Sequence, residues 1–244
     1  MKIGAFFDID GTIARDSLMI EHFKKLVNFE IIDQKLYYEK VYPAYQKYEK
    51  RKIDYDEYLN QLVDVYKYKL KGFSSEFNEY ISNQVISQVK EKVYRYTREM
   101  IKFHKENNHL IFFISGSPDF LVKEMAESYG VTEYRASLYL KNSGMYTGEV
   151  VPMWDKNSKK TVIDEIVERY EIDVDNSYCY GDTSGDFSMI NMMGKPTAIN
   201  PTKELFELIR ANEKINKKTK IIIERKDVIY EFPKNGKILD IKKA

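Results

Sequence analysis

The sequence has almost no cysteine: Cys179 is the only one among 244 residues. An intrachain disulfide is therefore excluded, and so is a metal site built from several thiolates. No apolar run approaches the length that a bilayer-crossing helix needs, and the N-terminal residues have no signal-peptide pattern. We therefore expect a soluble cytoplasmic protein that makes no contact with a membrane.

An excess of charge of either sign is also absent. The chain has 39 Lys and Arg against 38 Asp and Glu, a net charge of +1. Such a balance provides no overall attraction to nucleic acid, so we expect no nucleic-acid partner. Histidine is scarce, and His22, His104 and His109 are far enough apart to favour surface or capping roles over metal binding.

What the chain does contain is enough apolar material, 43% of its residues, for a sizeable core. Residues 16–90 have helical spacing and almost no strand pattern, whereas residues 1–15 and 91–244 alternate strands with helices. This alternation predicts an α/β fold, a doubly wound (Rossmann-like) parallel sheet. The helical block is predicted to be an insertion after the first strand of this core.

The C-terminal residues 220–232 form a separate pattern. Two short apolar runs flank Arg225-Lys226-Asp227, which predicts a β-hairpin. An exposed hairpin of this kind either extends a sheet or offers an edge to a second copy of the chain. A homodimer is therefore one of the two interpretations.

Polar residues follow three of the apolar strands. They are Asp8, Asp10 and Thr12 after the first strand, Ser115 and Gly116 after the second, and Asp182 and Asp186 after the third. Ligands bind at the carboxyl ends of strands in open parallel sheets, so these groups are expected to converge. A single Asp at a turn needs no ligand, but four carboxylates together favour a hard cation, with Mg²⁺ the best candidate.

In this order, these motifs resemble those of the haloacid dehalogenase superfamily, in particular its phosphoserine-phosphatase-like branch (subfamily IB). The resemblance covers roughly residues 2–200 and implies phosphoryl-transfer chemistry. It makes the helical block, residues 16–90, the cap domain of a catalytic core formed by residues 1–15 and 91–244. It assigns Asp8 as the nucleophile that forms an aspartyl-phosphate and Asp10 as the general acid/base. A lysine in Asn157-Ser158-Lys159-Lys160 would complete the catalytic set. The family pattern favours Lys159, with Lys160 as the competitor.

The resemblance also implies the binding roles. Phosphate would be bound by Thr12, Ser115, the backbone of Gly116, and Lys159. The metal would be bound by the carboxylates of Asp8, Asp10, Asp182 and Asp186.

The chain departs from phosphoserine phosphatases where the substrate is selected. Ser17 stands where that family has a glutamate for the substrate amine, and Leu62 stands where it has an arginine for the carboxylate. Leucine cannot replace a bidentate arginine grip. We therefore expect a Mg²⁺-dependent phosphomonoesterase acting on a small phosphorylated metabolite, with phosphoserine only one candidate among the small phosphomonoesters. A phosphotransferase or mutase of the same superfamily, or a non-catalytic phospholigand-binding module, are the alternatives.

Overall fold

The fold is built on one sheet of eight strands, seen in a computed structural model that describes residues 1–53, 55–153, 156–233 and 235–236. The strands are β1 (Gly4–Phe7), β2 (Leu110–Pro118), β3 (Glu133–Asn142), β4 (Met145–Val151), β5 (Tyr178–Gly181), β6 (Lys195–Ile199), β7 (Lys220–Arg225) and β8 (Val228–Glu231). Their spatial order is β4-β3-β2-β1-β5-β6-β7-β8.

Eleven α-helices lie in the described part of the chain. They are α1 (Leu18–Asn28), α2 (Gln34–Leu36), α3 (Tyr42–Glu49), α4 (Tyr55–Leu70), α5 (Ser75–Val89), α6 (Arg95–Glu106), α7 (Asp119–Tyr129), α8 (Lys156–Tyr170), α9 (Phe187–Met192), α10 (Lys203–Ala211) and α11 (Glu213–Lys218). A π-helical turn spans Tyr37–Val41, and a 3₁₀ turn spans Ser184–Asp186. None of these helices is both long and apolar enough to cross a membrane.

The central strands confirm the predicted doubly wound architecture. The strand β1 is parallel to β2 on one side and to β5 on the other, and β3, β6 and β7 continue the parallel order. All four residues of β1 are buried, as expected for a strand covered on both faces. Phe6 stacks on Phe112 at 4.8 Å and Phe7 on Tyr180 at 4.3 Å, which ties β1 to both neighbours.

An antiparallel strand closes each edge of the sheet. The strand β4 pairs with β3, and β8 pairs with β7, which is itself parallel to β6. The predicted C-terminal hairpin therefore extends the sheet. Whether the chain forms a dimer stays a prediction.

The helices α1 to α5 form the cap that was predicted after the first strand. Their buried side chains share one continuous core with a face of the sheet; Leu62 and Tyr66 of α4 belong to it together with Phe113 and Phe120. Ser74 caps α5 by accepting a hydrogen bond from the backbone N–H of Phe77 at 3.4 Å. The domain limits 16–90 and 91–244 stay predictions, and residues 237–244 lie outside the described part.

One strand is longer than its apolar run predicts. The run ends at Ile114, but β2 continues to Pro118, with a shift in its register against β3 between these residues. Ser115 and Gly116 therefore lie in an irregular extension of the strand and not in a loop after it. Irregularities of this kind are common beside active sites, because they re-aim side chains.

Candidate active site

A buried ion cluster lies at the carboxyl ends of β1 and β5. Lys159 Nζ donates hydrogen bonds to Asp8 Oδ1 at 2.7 Å and to Asp186 Oδ1 at 2.6 Å. Lys159 is 3% exposed, Asp8 5% and Asp186 0%. Asp182 joins them, because one carboxylate oxygen from each of the three aspartates lies within 4.8 Å of the others. We call Asp8, Asp182, Asp186 and Lys159 the ion cluster.

The electrostatics of the cluster are those of crowded anions around one cation. Desolvation raises the pKa of Asp8 well above its usual value, and the attraction of Lys159 only partly opposes this. The pKa of Asp182 is also raised, first by desolvation and then by repulsion from Asp8 and Asp186. Burial alone would lower the pKa of Lys159, but the two bonded carboxylates outweigh it and raise that pKa. The lysine is therefore charged at neutral pH.

Local backbone geometry brings the cluster together. Asp186 Oδ2 accepts hydrogen bonds from the backbone N–H groups of Asp182 and Thr183, at 3.0 and 3.1 Å, which closes the 3₁₀ turn after β5. Gly11 has a φ of +76°, and a Cβ atom there would overlap the Asp182 carboxylate. The glycine of the Asp8-Ile9-Asp10-Gly11-Thr12 motif is thus required both for the turn and for the approach of β5.

The donor set fits a hard divalent cation. The Thr12 hydroxyl donates to Asp182 Oδ1 at 3.1 Å, and Lys159 binds Asp8 Oδ1. Both of these hydrogen bonds use the Oδ1 atom of the carboxylate. Carboxylate oxygens of this kind are preferred ligands of Mg²⁺. Both oxygens of Asp186 are engaged within the protein.

Asp10 is close enough to the ion cluster to interact electrostatically with Asp8 and Lys159, but its hydrogen bonds go to other residues. Its Oδ2 accepts from the hydroxyls of Ser117 at 2.6 Å and Ser17 at 3.2 Å, and its Oδ1 accepts from the N–H of Leu18 at 2.9 Å. Desolvation raises the pKa of Asp10, and these hydrogen bonds oppose the rise. Asp8 and Asp10 thus have different hydrogen-bond partners. The metal-binding role of the Asp10 side chain stays a prediction.

The phosphate-binding candidates are divided between the ion cluster and β2. Ser115 is fully buried, and its hydroxyl accepts from the N–H of Ser117 at 3.1 Å. The carbonyl of Gly116 accepts from the Ser137 hydroxyl at 2.7 Å. Of the two candidate lysines, Lys159 lies in the ion cluster. Lys160 is exposed and pairs with Asp164, one helical turn further on.

Several residues near the site were missed or misjudged from the sequence. Ser117 was missed, although it belongs to the same Ser-Gly-Ser-Pro run as Ser115. Tyr55, at the start of α4, reaches from the cap to hydrogen-bond Ser17 beside Asp10. No local pattern reveals that contact, because it joins distant segments.

The histidine expectation is wrong for two of the three residues. His22 and His104 are both fully buried. His22 Nδ1 lies 2.7 Å from the Tyr66 hydroxyl, and His104 Nδ1 lies 2.8 Å from His109 Nδ1. The tight turn between His104 and His109 folds the second imidazole back onto the first.

Comparison with known proteins identifies the family. The family model of haloacid dehalogenase-like hydrolases matches residues 5–191. The chain belongs to this family, and the predicted membership is confirmed. The chain is 22% identical over 211 residues to a histidinol-phosphatase of Neisseria meningitidis, an alignment that covers 84% of this chain and 93% of the relative.

Solved structures share the fold. A protein of unknown function from Bordetella pertussis superposes with a TM-score of 0.69 at 16% identity, covering 86% of this chain and 96% of that one. A phosphoserine phosphatase solved as a phospho-aspartyl intermediate analogue gives a TM-score of 0.62 at 21% identity, covering 93% and 95%. At these identities the likeness is one of fold.

Proposed function

We propose that this hydrolase is a Mg²⁺-dependent phosphomonoesterase that forms an aspartyl-phosphate, an acyl phosphate, on Asp8. The observation that carries the proposal is the position of Lys159, bonded to Asp8 and Asp186 and grouped with Asp182. This arrangement places a nucleophilic carboxylate beside a permanent cation and two further oxygen ligands. Phosphoryl transfer depends mainly on positioning and charge stabilisation, which such a site provides.

Asp8, Asp182 and Asp186 are the residues that would hold the ion, Asp186 either directly or through water. When bound, Mg²⁺ would neutralise part of the negative charge on the substrate phosphate and the carboxylates. Asp8 Oδ2 then attacks phosphorus, and the bond to the leaving oxygen breaks. Lys159, Ser115 and nearby backbone N–H groups stabilise the charge on the transferred group.

Asp10 is proposed as the general acid and base. Its raised pKa favours a proton on the carboxyl group, which can pass to the departing alkoxide. The resulting carboxylate then accepts a proton from the water that hydrolyses the aspartyl-phosphate formed on Asp8. Hydrogen bonds from Ser117, Ser17 and Leu18 orient this carboxylate and provide the acceptor geometry that the step requires.

The leaving group is proposed to differ from serine. Ser17, at the position of the amine-binding glutamate, donates its hydroxyl to Asp10. Leu62, at the position of the carboxylate-binding arginine, is 1% exposed and belongs to the core. Neither residue offers a charge to an amino acid substrate, so a small phosphoester without that zwitterionic group fits better. Tyr55 provides an aromatic surface on the cap side.

The experiment is a panel of phosphoesters assayed for free phosphate, with Mg²⁺ and with chelator. The panel includes phosphoserine, histidinol phosphate and p-nitrophenyl phosphate. We expect Mg²⁺-dependent release and no preference for phosphoserine. Transfer to an added alcohol without free phosphate would favour a phosphotransferase. Binding of one ester without turnover would favour a non-catalytic module.

The nucleophile is tested by Asp8→Asn, which keeps the shape of the side chain and removes its charge. Turnover is expected to disappear while the protein remains folded by circular dichroism. The matched control is Asp227→Asn, the same change in the exposed turn of the C-terminal hairpin, which should retain wild-type activity. Turnover by the Asp8→Asn enzyme at the wild-type rate would refute the assignment of the nucleophile.

A further inference from the structure

The two segments that connect the cap to the sheet run side by side. Ala14 and Val93 form an antiparallel bridge, and the N–H of Tyr94 donates to the Ile13 carbonyl at 2.9 Å. The Arg15 Nε donates to the Val93 carbonyl at 3.3 Å, and the Arg15 guanidinium lies 5.4 Å from the centre of the Tyr94 ring. We call residues 13–15 and 92–94 the linker pair. Any movement that opens the cap must change the backbone conformation of these residues.

A buried carboxylate from the C-terminal hairpin binds this region. Glu224, on β7, has a side chain that is only 4% exposed. Its Oε1 accepts from Arg95 N at 2.9 Å and from Arg15 Nη2 at 3.1 Å, and its Oε2 accepts from Tyr96 N at 2.9 Å. Arg95 and Tyr96 are the first two residues of α6, where the helix dipole favours a negative charge.

Glu224 is itself rigidly placed. Its backbone N–H donates to Asn200 Oδ1 at 2.8 Å, which connects β7 to the loop after β6. The neighbouring Ile222 is in register with Ile199 in the parallel ladder. The hairpin lies beyond residue 191, where the match to the family model ends. Glu224 thus ends the apolar run of β7 and accepts hydrogen bonds from Arg15, Arg95 and Tyr96.

A short path connects this contact to the active site. Thr97, in the first turn of α6, donates its hydroxyl to the Thr12 carbonyl at 2.9 Å. The Thr12 hydroxyl donates to Asp182 Oδ1 in the ion cluster. Displacement of the start of α6 would therefore move Thr12, and with it the support of a carboxylate proposed to bind metal.

We propose that Glu224 is a positioning residue that clamps the linker pair and the start of α6, and thereby fixes Thr12 against Asp182. The kinetic consequence rests on the proposed function, whereas the clamp itself does not. The C-terminal hairpin accordingly serves the reaction without touching the substrate.

The test compares Glu224→Gln with Glu231→Gln, the same change at an exposed position of the same hairpin. Hydrogen exchange and steady-state kinetics are measured on the full chain. In Glu224→Gln we expect amide exchange at residues 13–15 and 94–97 to accelerate at least ~10-fold, because the segment opens more often. The kcat is expected to fall roughly 10- to 100-fold with KM nearly unchanged, since catalytic groups and not substrate contacts are misplaced. Glu231→Gln should behave as wild type in both measurements.

A purely structural role gives a different result. If Glu224→Gln lowers the melting temperature but leaves linker exchange and kcat at their wild-type values, the proposal is overturned. If that variant fails to fold, Arg15→Gln tests the same contact by removing the partly exposed guanidinium, and it leaves the hydrogen bonds from the N–H groups of Arg95 and Tyr96 to Glu224 intact. Unchanged amide exchange at residues 13–15 and 94–97 in Arg15→Gln would also overturn the proposal. The exchange measurement needs no substrate, so a failed phosphatase assay would refute the proposed function and leave the clamp to be judged by exchange.

Discussion

Lys159→Met is the perturbation that addresses the ion cluster most directly. It keeps the length and bulk of the side chain but removes the ammonium group. Lys159 bonds two carboxylates at 2.7 and 2.6 Å, and its side chain is 4% exposed. The variant would leave Asp8, Asp182 and Asp186 together without a cation. Breaking a buried pair by removing one partner costs ~3–5 kcal/mol, because the remaining charge is uncompensated.

The assay is urea unfolding at pH 7.5 with chelator present, so that no stray metal replaces the lysine. Lys160→Met is the matched control, because that side chain is 59% exposed and forms only an exposed pair with Asp164. Exposed helical pairs contribute ~0.3–0.5 kcal/mol, so the control should be nearly neutral. A loss in Lys159→Met within about 1 kcal/mol of the control would refute the reasoning, since such a loss is typical of an exposed pair.

The loss of unfolding free energy in Lys159→Met should also depend on pH. The pKa values of Asp8 and Asp182 are already raised in the folded protein, and loss of Lys159 raises them further. A folded-state pKa above the unfolded one means that unfolding releases a proton, so stability falls as pH rises through that window. The variant is therefore expected to approach wild-type stability as the pH is lowered and these carboxylates take up protons. A difference in unfolding free energy between wild type and Lys159→Met that widens at acid pH would contradict this.

Two further predictions concern buried polar groups outside the ion cluster. Burial lowers the pKa of His22 to about 3, so below pH 6.5 only the unfolded chain takes up this proton, and stability is lost as pH falls. Between pH 8 and pH 5 wild type should lose about 2 kcal/mol more than His22→Gln in urea unfolding; equal losses would show that the imidazole is solvated. Ser117→Ala removes a 2.6 Å hydrogen bond to Asp10. A bond to a charged group contributes ~1.5–3 kcal/mol, so kcat should fall roughly 10- to 100-fold at constant KM. Ser87→Ala, an exposed serine of α5, is its control, and a wild-type kcat in Ser117→Ala would exclude a positioning role for the hydroxyl.

The parts of the fold that were predictable from the sequence are those with a strong local pattern. The apolar run before Asp8 predicts β1, and the turn at Ser143-Gly144 predicts the β3–β4 hairpin. The orientation of Asp10 was not predictable in this way. Alternation of side chains holds only within a strand, and after Phe7 the chain turns so that the Ile9 carbonyl accepts from three successive N–H groups. That turn re-aims Asp10 toward α1.

Most of the features that were not predictable from the sequence depend on contacts between distant segments. Glu224 meets Arg95 across 129 positions and Arg15 across 209. Such contacts depend on the order of strands in the sheet, which sequence periodicity does not determine. A signal was nevertheless present, because one acidic residue follows three isoleucines in β7. A buried charge needs a partner, so the position of Glu224 indicates that a donor from another segment lies beside β7. In the structure, one such donor is Arg15 of the linker pair.

The charge of the ion cluster argues for the order in which its ligands bind. Three carboxylates and one ammonium give a formal charge of −2 in a site where Asp8, Asp186 and Lys159 are buried and Asp182 is partly exposed. A phosphomonoester brings further negative charge, and like charges at such distances repel strongly when they are poorly solvated. Lys159 alone cannot offset both, because it already bonds two of the aspartates. Desolvation, and after it repulsion between the carboxylates, raises the pKa values of Asp8 and Asp182. A divalent cation should therefore precede or accompany the phosphoester, and substrate affinity should fall with chelator even in Asp8→Asn, which binds without turnover. Metal-independent binding of phosphate to that variant would remove the electrostatic basis of the proposed mechanism.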